Sequence, residues 1–170
     1  MNKRNRPVTG TTARVMMYLT WIIGLALASY FFQIWIERKH NPNHFVSSNP
    51  DTSIVLQQNA QGHYVASGEI NKVAVTFLLD TGATHVIISE DLASKLRLVA
   101  QGTTRVVTAN GVISVYPTYL ESISIGALEA SNVKALINPF AVDSTVLLGM
   151  SFLKHLTLIQ RDRTLTLSVP

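Results

Sequence analysis

The chain contains no cysteine among its 170 residues. Disulfides, thiolate nucleophiles and zinc–thiolate centres are excluded, so the folded part must be stable without a covalent staple. No internal repeat is present, and Asp-Thr-Gly occurs once, at Asp80-Thr81-Gly82. A surplus of positive charge is missing from most of the chain. Residues 1–40 hold six of the fourteen Lys and Arg, with Glu37 as the one acid. From Asn41 onward eight basic residues stand against nine acidic ones, a balance of −1. The formal charge of +4 therefore belongs to the N-terminal segment. A nucleic-acid partner would need a basic face on the folded domain, and none is indicated.

Charge is absent altogether from Val15 to Ile36, a run of 22 residues. As a helix this run would be about 33 Å long, enough to cross a hydrocarbon core of about 30 Å. Tyr18, Trp21, Tyr30 and Trp35 lie toward its two ends, where amphipathic rings favour the interface. The pattern predicts a basic N-terminus over 1–14, a transmembrane helix over 15–36 and a linker over 37–53. Lys3, Arg4, Arg6 and Arg14 place the N-terminus in the cytoplasm and the rest across the membrane. A cleaved signal peptide is the alternative, since Ala26-Leu27-Ala28 has the small-x-small form of a cleavage site. The apolar run continues past that point to Ile36, which favours the anchor. His40 and His44 stand four apart, but Pro42 between them argues against a helical metal pair and for solvated linker histidines.

Residues 54–170 read as mostly β. Strands are expected at Ile54–Gln58, Tyr64–Ile70, Val73–Leu79, His85–Ile88, Leu120–Ile125, Val133–Ile137 and Thr145–Leu148. A terminal hairpin pairs Thr157–Gln160 with Leu165–Val169. Asn110-Gly111, flanked by β-branched residues, is a strong hairpin signal because both turn positions need positive φ. One helix is expected over Ser89–Leu96, capped by Ser89 with Glu90 and Asp91 in its first turn. A short helical turn is expected after Gly149. Many short strands with one or two short helices indicate a compact barrel or sandwich.

The stretch of most chemical interest is Phe77-Leu78-Leu79-Asp80-Thr81-Gly82-Ala83-Thr84. An apolar strand delivers one carboxylate to the point where the chain leaves the core. Gly82 then allows a sharp turn or a positive φ. Alone, this triplet also fits a strand-ending Asx turn with no chemistry.

FLLDTGAT at 77–84, the Asn-Gly hairpin near 110 and VLLGM at 146–150 stand in an order that resembles the retropepsin-like aspartic proteases. The bacterial membrane-anchored members, with one N-terminal span and a DTGAT loop, are the most similar. The resemblance covers roughly residues 62–168 and implies a closed β barrel. It implies that Asp80 is the catalytic carboxylate and that Thr81, Gly82, Ala83 and Thr84 complete the active-site loop. Thr108, Ala109, Asn110, Gly111 and Val112 correspond to the flap. Leu147, Leu148 and Gly149 correspond to the motif that packs beneath the loop. Met150 departs from the viral members, which carry a polar or charged residue there, and His85 has no catalytic counterpart. The resemblance implies peptide substrates, no metal or other cofactor, and residence on the periplasmic face of a bacterial inner membrane.

The chemistry needs two carboxyl groups, one to take a proton from water and one to protonate the substrate oxygen. Asp51, Asp91, Asp143 and Asp162 lack the setting of Asp80. The second carboxyl must come from a second chain, so a C2 homodimer is expected. A membrane-tethered module that grips extended peptides without cutting them is the alternative. His63, His85 and His155 read as loop or packing histidines and Arg105 as solvated. Tyr116 and Tyr119 fit either a groove or the core. The anchor reading is checked by the N-terminal mass of the membrane-extracted protein: no loss of residues up to Ala28 is expected, whereas a start at Ser29 would identify a signal peptide.

Overall fold

The computed structural model describes residues 10–46, 53–108 and 111–170. The chain divides into two units, with the boundary between Arg38 and Lys39.

The first unit is helical. Helix α1, Gly10–His40, has 31 residues and a length of about 46 Å at 1.5 Å per residue. Trp21, Ile22, Leu25 and Phe31 are exposed along it. By length and composition it can cross a membrane. The helix continues beyond Ile36 through Glu37–His40, residues expected to open the linker. Pro42 explains where it stops, because a proline disfavours helical geometry at the residue before it, here Asn41.

The second unit contains strands β1 (Ser53–Gln57), β2 (Val65–Ile70), β3 (Val73–Leu79) and β4 (Val86–Ser89). Helix α2 (Glu90–Lys95) follows, then β5 (Thr104–Thr108), β6 (Gly111–Ile125), β7 (Leu128–Asn138) and β8 (Val146–Leu148). Helix α3 (Met150–Leu153) precedes β9 (Thr157–Arg161) and β10 (Thr164–Ser168). The sheet order β2-β3-β8-β4-β7-β6 closes on itself where β2 pairs with β6, through Glu69↔Ser124 and Ile70↔Ile123. This is the closed barrel. β5 extends β6 outward as a hairpin, and β1, β10 and β9 form a separate three-stranded sheet.

Alternating apolar residues turn one strand face inward. Val75 and Phe77 of β3, Val86 and Ile88 of β4, and Val146 and Leu148 of β8 are buried in one core. Phe152 and Leu153 of α3 fill the same core. Phe77 is fully buried, and its ring covers Gly68 so closely that a Cβ there would lie 2.7 Å from Phe77 Cε2. The β2–β3 turn is Asn71-Lys72, both at positive φ, the backbone that a two-residue hairpin of this twist requires. Asn71 tolerates that region, and its Oδ1 also accepts from Ser122 N at 3.1 Å.

The second arm of the Asn110-Gly111 hairpin and the strand expected at Leu120–Ile125 are one continuous 15-residue strand, β6. Pro117 does not break it. The Pro117 carbonyl accepts from Gln101 N at 2.7 Å, so its ring nitrogen points to that same side. β5 has already ended there, at the pair Thr104↔Val115, and the missing N–H leaves no ladder partner unpaired.

Phe77→Ala is expected to cost about 3–5 kcal/mol through cavity formation. Denaturant unfolding of the detergent-solubilised chain measures this, and a loss below about 1 kcal/mol would show that the barrel relaxes around the gap.

Candidate active site

Asp80 follows the last residue of β3 and is half-exposed. Its backbone is held from two sides. Leu79 N donates to Tyr64 O at 3.0 Å, and Asp80 N donates to Leu148 O at 3.1 Å. The second bond exists because β3 and β8 run parallel in the register Phe77↔Val146, Leu78↔Leu147 and Leu79↔Leu148. Leu147 also faces Ile87 of β4, so the first residue of the packing motif lies between the strand that enters the loop and the strand that leaves it.

The loop itself is tight. Gly82 N donates to Asp80 Oδ1 at 2.9 Å, and Ala83 N donates to Asp80 O at 3.2 Å. Of the two expectations for Gly82, the structure shows the sharp turn and not the positive φ. Its constraint is spatial: a Cβ there would lie 3.1 Å from Asp80 Oδ1, crowding the carboxylate that its N–H supports. Thr81 and Thr84 are exposed and Ala83 is half-buried.

The start of α3 grips the far side of the loop. Met150 N donates to Ala83 O at 2.7 Å, and Val86 N donates to Ser151 Oγ at 3.0 Å. Gly149 has an extended backbone, φ −91° and ψ −174°, which any residue adopts. Glycine is needed here for space alone. A Cβ would point into the carbonyl oxygens of His85 and Ala83, the latter at 2.6 Å. The departure at Met150 leaves this contact intact, because it is the Met150 backbone that binds the loop. Sequence reasoning missed Ser151; a serine two residues after the glycine carries no signal of its distant partner. His85 Nδ1 is buried with no hydrogen-bond partner among the described residues, while the His85 carbonyl belongs to the wall against Gly149.

The expected flap is the β5–β6 hairpin, paired through Val107↔Val112 and Thr108↔Gly111. Gly111 has φ 114°, and Thr108 Oγ1 donates to Gly111 O at 2.9 Å. Ala109 and Asn110, the expected tip, lie outside the described residues. Val107 is 84% exposed and Val112 64%, unusual for apolar residues on paired strands. Arg105 is also exposed. A second exposed apolar pair, Phe140 and Val142, lies on the loop that feeds β8. That loop is shaped by two Asx turns: Asn138 Oδ1 accepts from Phe140 N, and Asp143 Oδ1 accepts from Thr145 N, both at 3.0 Å. The sequence reading did not single out this loop, although Asn138 and Asp143 were its available signal.

Tyr116 packs against the core edge and lines a cavity of about 300 Å³ with Glu90, Ser94, Leu98 and Ile137. Tyr119 is 38% exposed. Ser89 Oγ accepts from Leu92 N at 3.4 Å and caps α2.

A family model described as "gag-polyprotein putative aspartyl protease" matches residues 66–155, from β2 to the end of α3. The chain belongs to the retropepsin-like aspartic protease family. The crystal structure of a retropepsin-like aspartic protease from Rickettsia conorii superposes with a TM-score of 0.56 at 28% identity. The match covers 68% of this chain and 88% of that one. Two uncharacterized bacterial proteins are also similar. One, from the 5′ region of cobV in Sinorhizobium sp, is 31% identical over 116 residues, which is 66% of this chain and 50% of the relative. The other, from Rickettsia prowazekii (strain Madrid E), is 30% identical over 115 residues, 66% of this chain and 49% of the relative. The chain thus spans about half the length of the curated relatives it matches.

In this retropepsin-like barrel the contact between Gly149 and the loop leaves no room for a methyl group. Gly149→Ala is expected to destabilise the fold by about 1–3 kcal/mol, read from the denaturant midpoint. An unchanged midpoint would show that the Ala83–His85 backbone yields at no cost.

Proposed function

We propose that this protein is a membrane-anchored aspartic endopeptidase that works as a homodimer. The observation that carries the reading is Asp80 itself: a half-exposed carboxylate on a loop fixed by Leu148 O, Gly82 N and α3, in a chain of an aspartic protease family. One such loop per chain supplies one carboxyl, and peptide hydrolysis by this chemistry needs two. Two copies related by a C2 axis bring their Asp80 side chains together. One carboxylate takes a proton from water, which attacks the peptide carbonyl; the other carboxyl protonates the oxygen that gains charge. The pair titrates as a unit, so neither copy is intrinsically the acid.

Thr81 of each loop buttresses the other across the axis in this reading. The β5–β6 hairpin, with Thr108 to Val112, folds over the substrate. Val107, Val112, Phe140 and Val142 give it apolar contacts, and extended peptide is held through main-chain bonds. Residues 15–36 anchor the chain, residues 1–14 are cytoplasmic, and the protease domain lies on the periplasmic face of a bacterial inner membrane. Confinement to a surface raises the effective concentration of chains and favours pairing.

Asp80→Asn is expected to lower kcat by about 10³-fold or more with an unchanged thermal midpoint. Equal cleavage by the variant would remove the mechanism, and no cleavage by wild type would leave the peptide-gripping module. Mixing exchanging wild-type and Asp80→Asn chains is expected to reduce activity with the square of the active fraction; a linear decline would indicate a functional monomer.

A further inference from the structure

Two buried asparagines lie in the stretch that sequence reads as a linker. Asn41 is 7% exposed and Asn43 4%. Asn43 uses its whole side-chain amide. Its Nδ2 donates to Gln57 O at 2.8 Å and to Val65 O at 2.7 Å. Its Oδ1 accepts from Gln57 N at 2.6 Å. Its carbonyl accepts from Ser67 N at 3.2 Å, and it bridges to Ala66 in parallel fashion. Gln57 ends β1 and Val65 begins β2, so one side chain joins the three-stranded sheet to the barrel. Asn41 shapes the segment by accepting from Asn43 N at 3.1 Å, and it donates to Ser67 Oγ at 2.9 Å. Asn59 Nδ2 donates to His40 O at 3.1 Å, which ties down the residue where the segment starts.

The strand held by Asn43 is the one that holds the catalytic strand. Val65 pairs with Leu78 and Ala66 with Phe77. Tyr64, one residue before β2, accepts from Leu79 N, and Asp80 comes next. We infer that Asn43 is a positioning residue for Asp80: through Val65 and Ser67 it fixes the start of β2, and β2 fixes the end of β3. The inference rests on the protease reading for its catalytic consequence but not for its structural one. Asparagine suits the position because it offers two donors and an acceptor in one plane. Alanine would leave Gln57 N–H and the two carbonyls short of partners where burial makes that costly.

The test compares full-length wild type, Asn43→Ala, Asn43→Asp and Phe45→Ala in detergent, by amide hydrogen exchange and by peptide cleavage. Phe45 is 90% exposed, so Phe45→Ala serves as the neighbouring control. Asn43→Ala is expected to speed exchange at Gln57, Ser67, Leu79 and Asp80 by at least about tenfold, with the β9–β10 amides unchanged. It is expected to lower kcat by about tenfold with KM within about twofold. Asn43→Asp keeps the acceptor for Gln57 N–H and loses both donors. It is expected to protect Gln57 but not Leu79, and it replaces Asn43→Ala if that variant does not fold. Unchanged protection at Leu79 and Asp80, or equal loss at every amide, overturns the inference. Wild type without cleavage, but with the local exchange pattern, would remove the protease reading and leave the positioning role standing.

Discussion

A contact too close for a side chain governs this site. Gly149 lies against the carbonyl oxygens of Ala83 and His85, and that approach lets β8 lie parallel to β3. From the same approach follow the bond from Asp80 N to Leu148 O and the bond from Met150 N to Ala83 O. A carboxylate on a free loop would sample many positions, and the proposed reaction, which needs two carboxyls close together, tolerates little of that freedom. Rigidity here comes mostly from backbone bonds, with Asp80 Oδ1 and Ser151 Oγ as side-chain acceptors. The loop is clamped by β2 on one side, β8 on another and the start of α3 beneath.

Closure of the barrel gives the clamp its stiffness. Each of the six strands has a partner on both sides, so the ring has no edge strand. The parallel pairs β3–β8 and β4–β7 cannot be made by hairpins and require long connections. Those connections carry the exposed apolar residues. Phe140 and Val142 sit between β7 and β8, and Val107 and Val112 lie on the hairpin that projects from β6.

Much of this was legible in advance, for local reasons. The β3 strand, Val73–Leu79, follows its apolar run, and Ser89 caps α2 as its side chain allows. Other features were hidden because their causes are distant in sequence. Gly82 forms the expected turn, but the closeness of a Cβ there to Asp80 Oδ1, 3.1 Å, was not visible in the sequence. The hairpin arm after Gly111 and the strand at Leu120–Ile125 read as separate, yet β6 runs through Pro117 because the β5 pairing stops at Thr104↔Val115 on that side. Asn41 and Asn43 read as linker composition, yet both are buried. The same polar residues serve solvent-exposed loops and buried amide networks, and composition does not separate the two.

The sequence by itself determined the period of each strand, the uncharged length of α1 and the lone Asp-Thr-Gly. Each follows from the side chains of neighbouring residues. Only the tertiary structure decided that Leu148 would hold Asp80, that Ser151 would hold Val86 and that Asn43 would join β1 to β2. Those bonds join residues that local preference leaves unrelated. They form because closing the ring and filling its core fix which backbone groups meet.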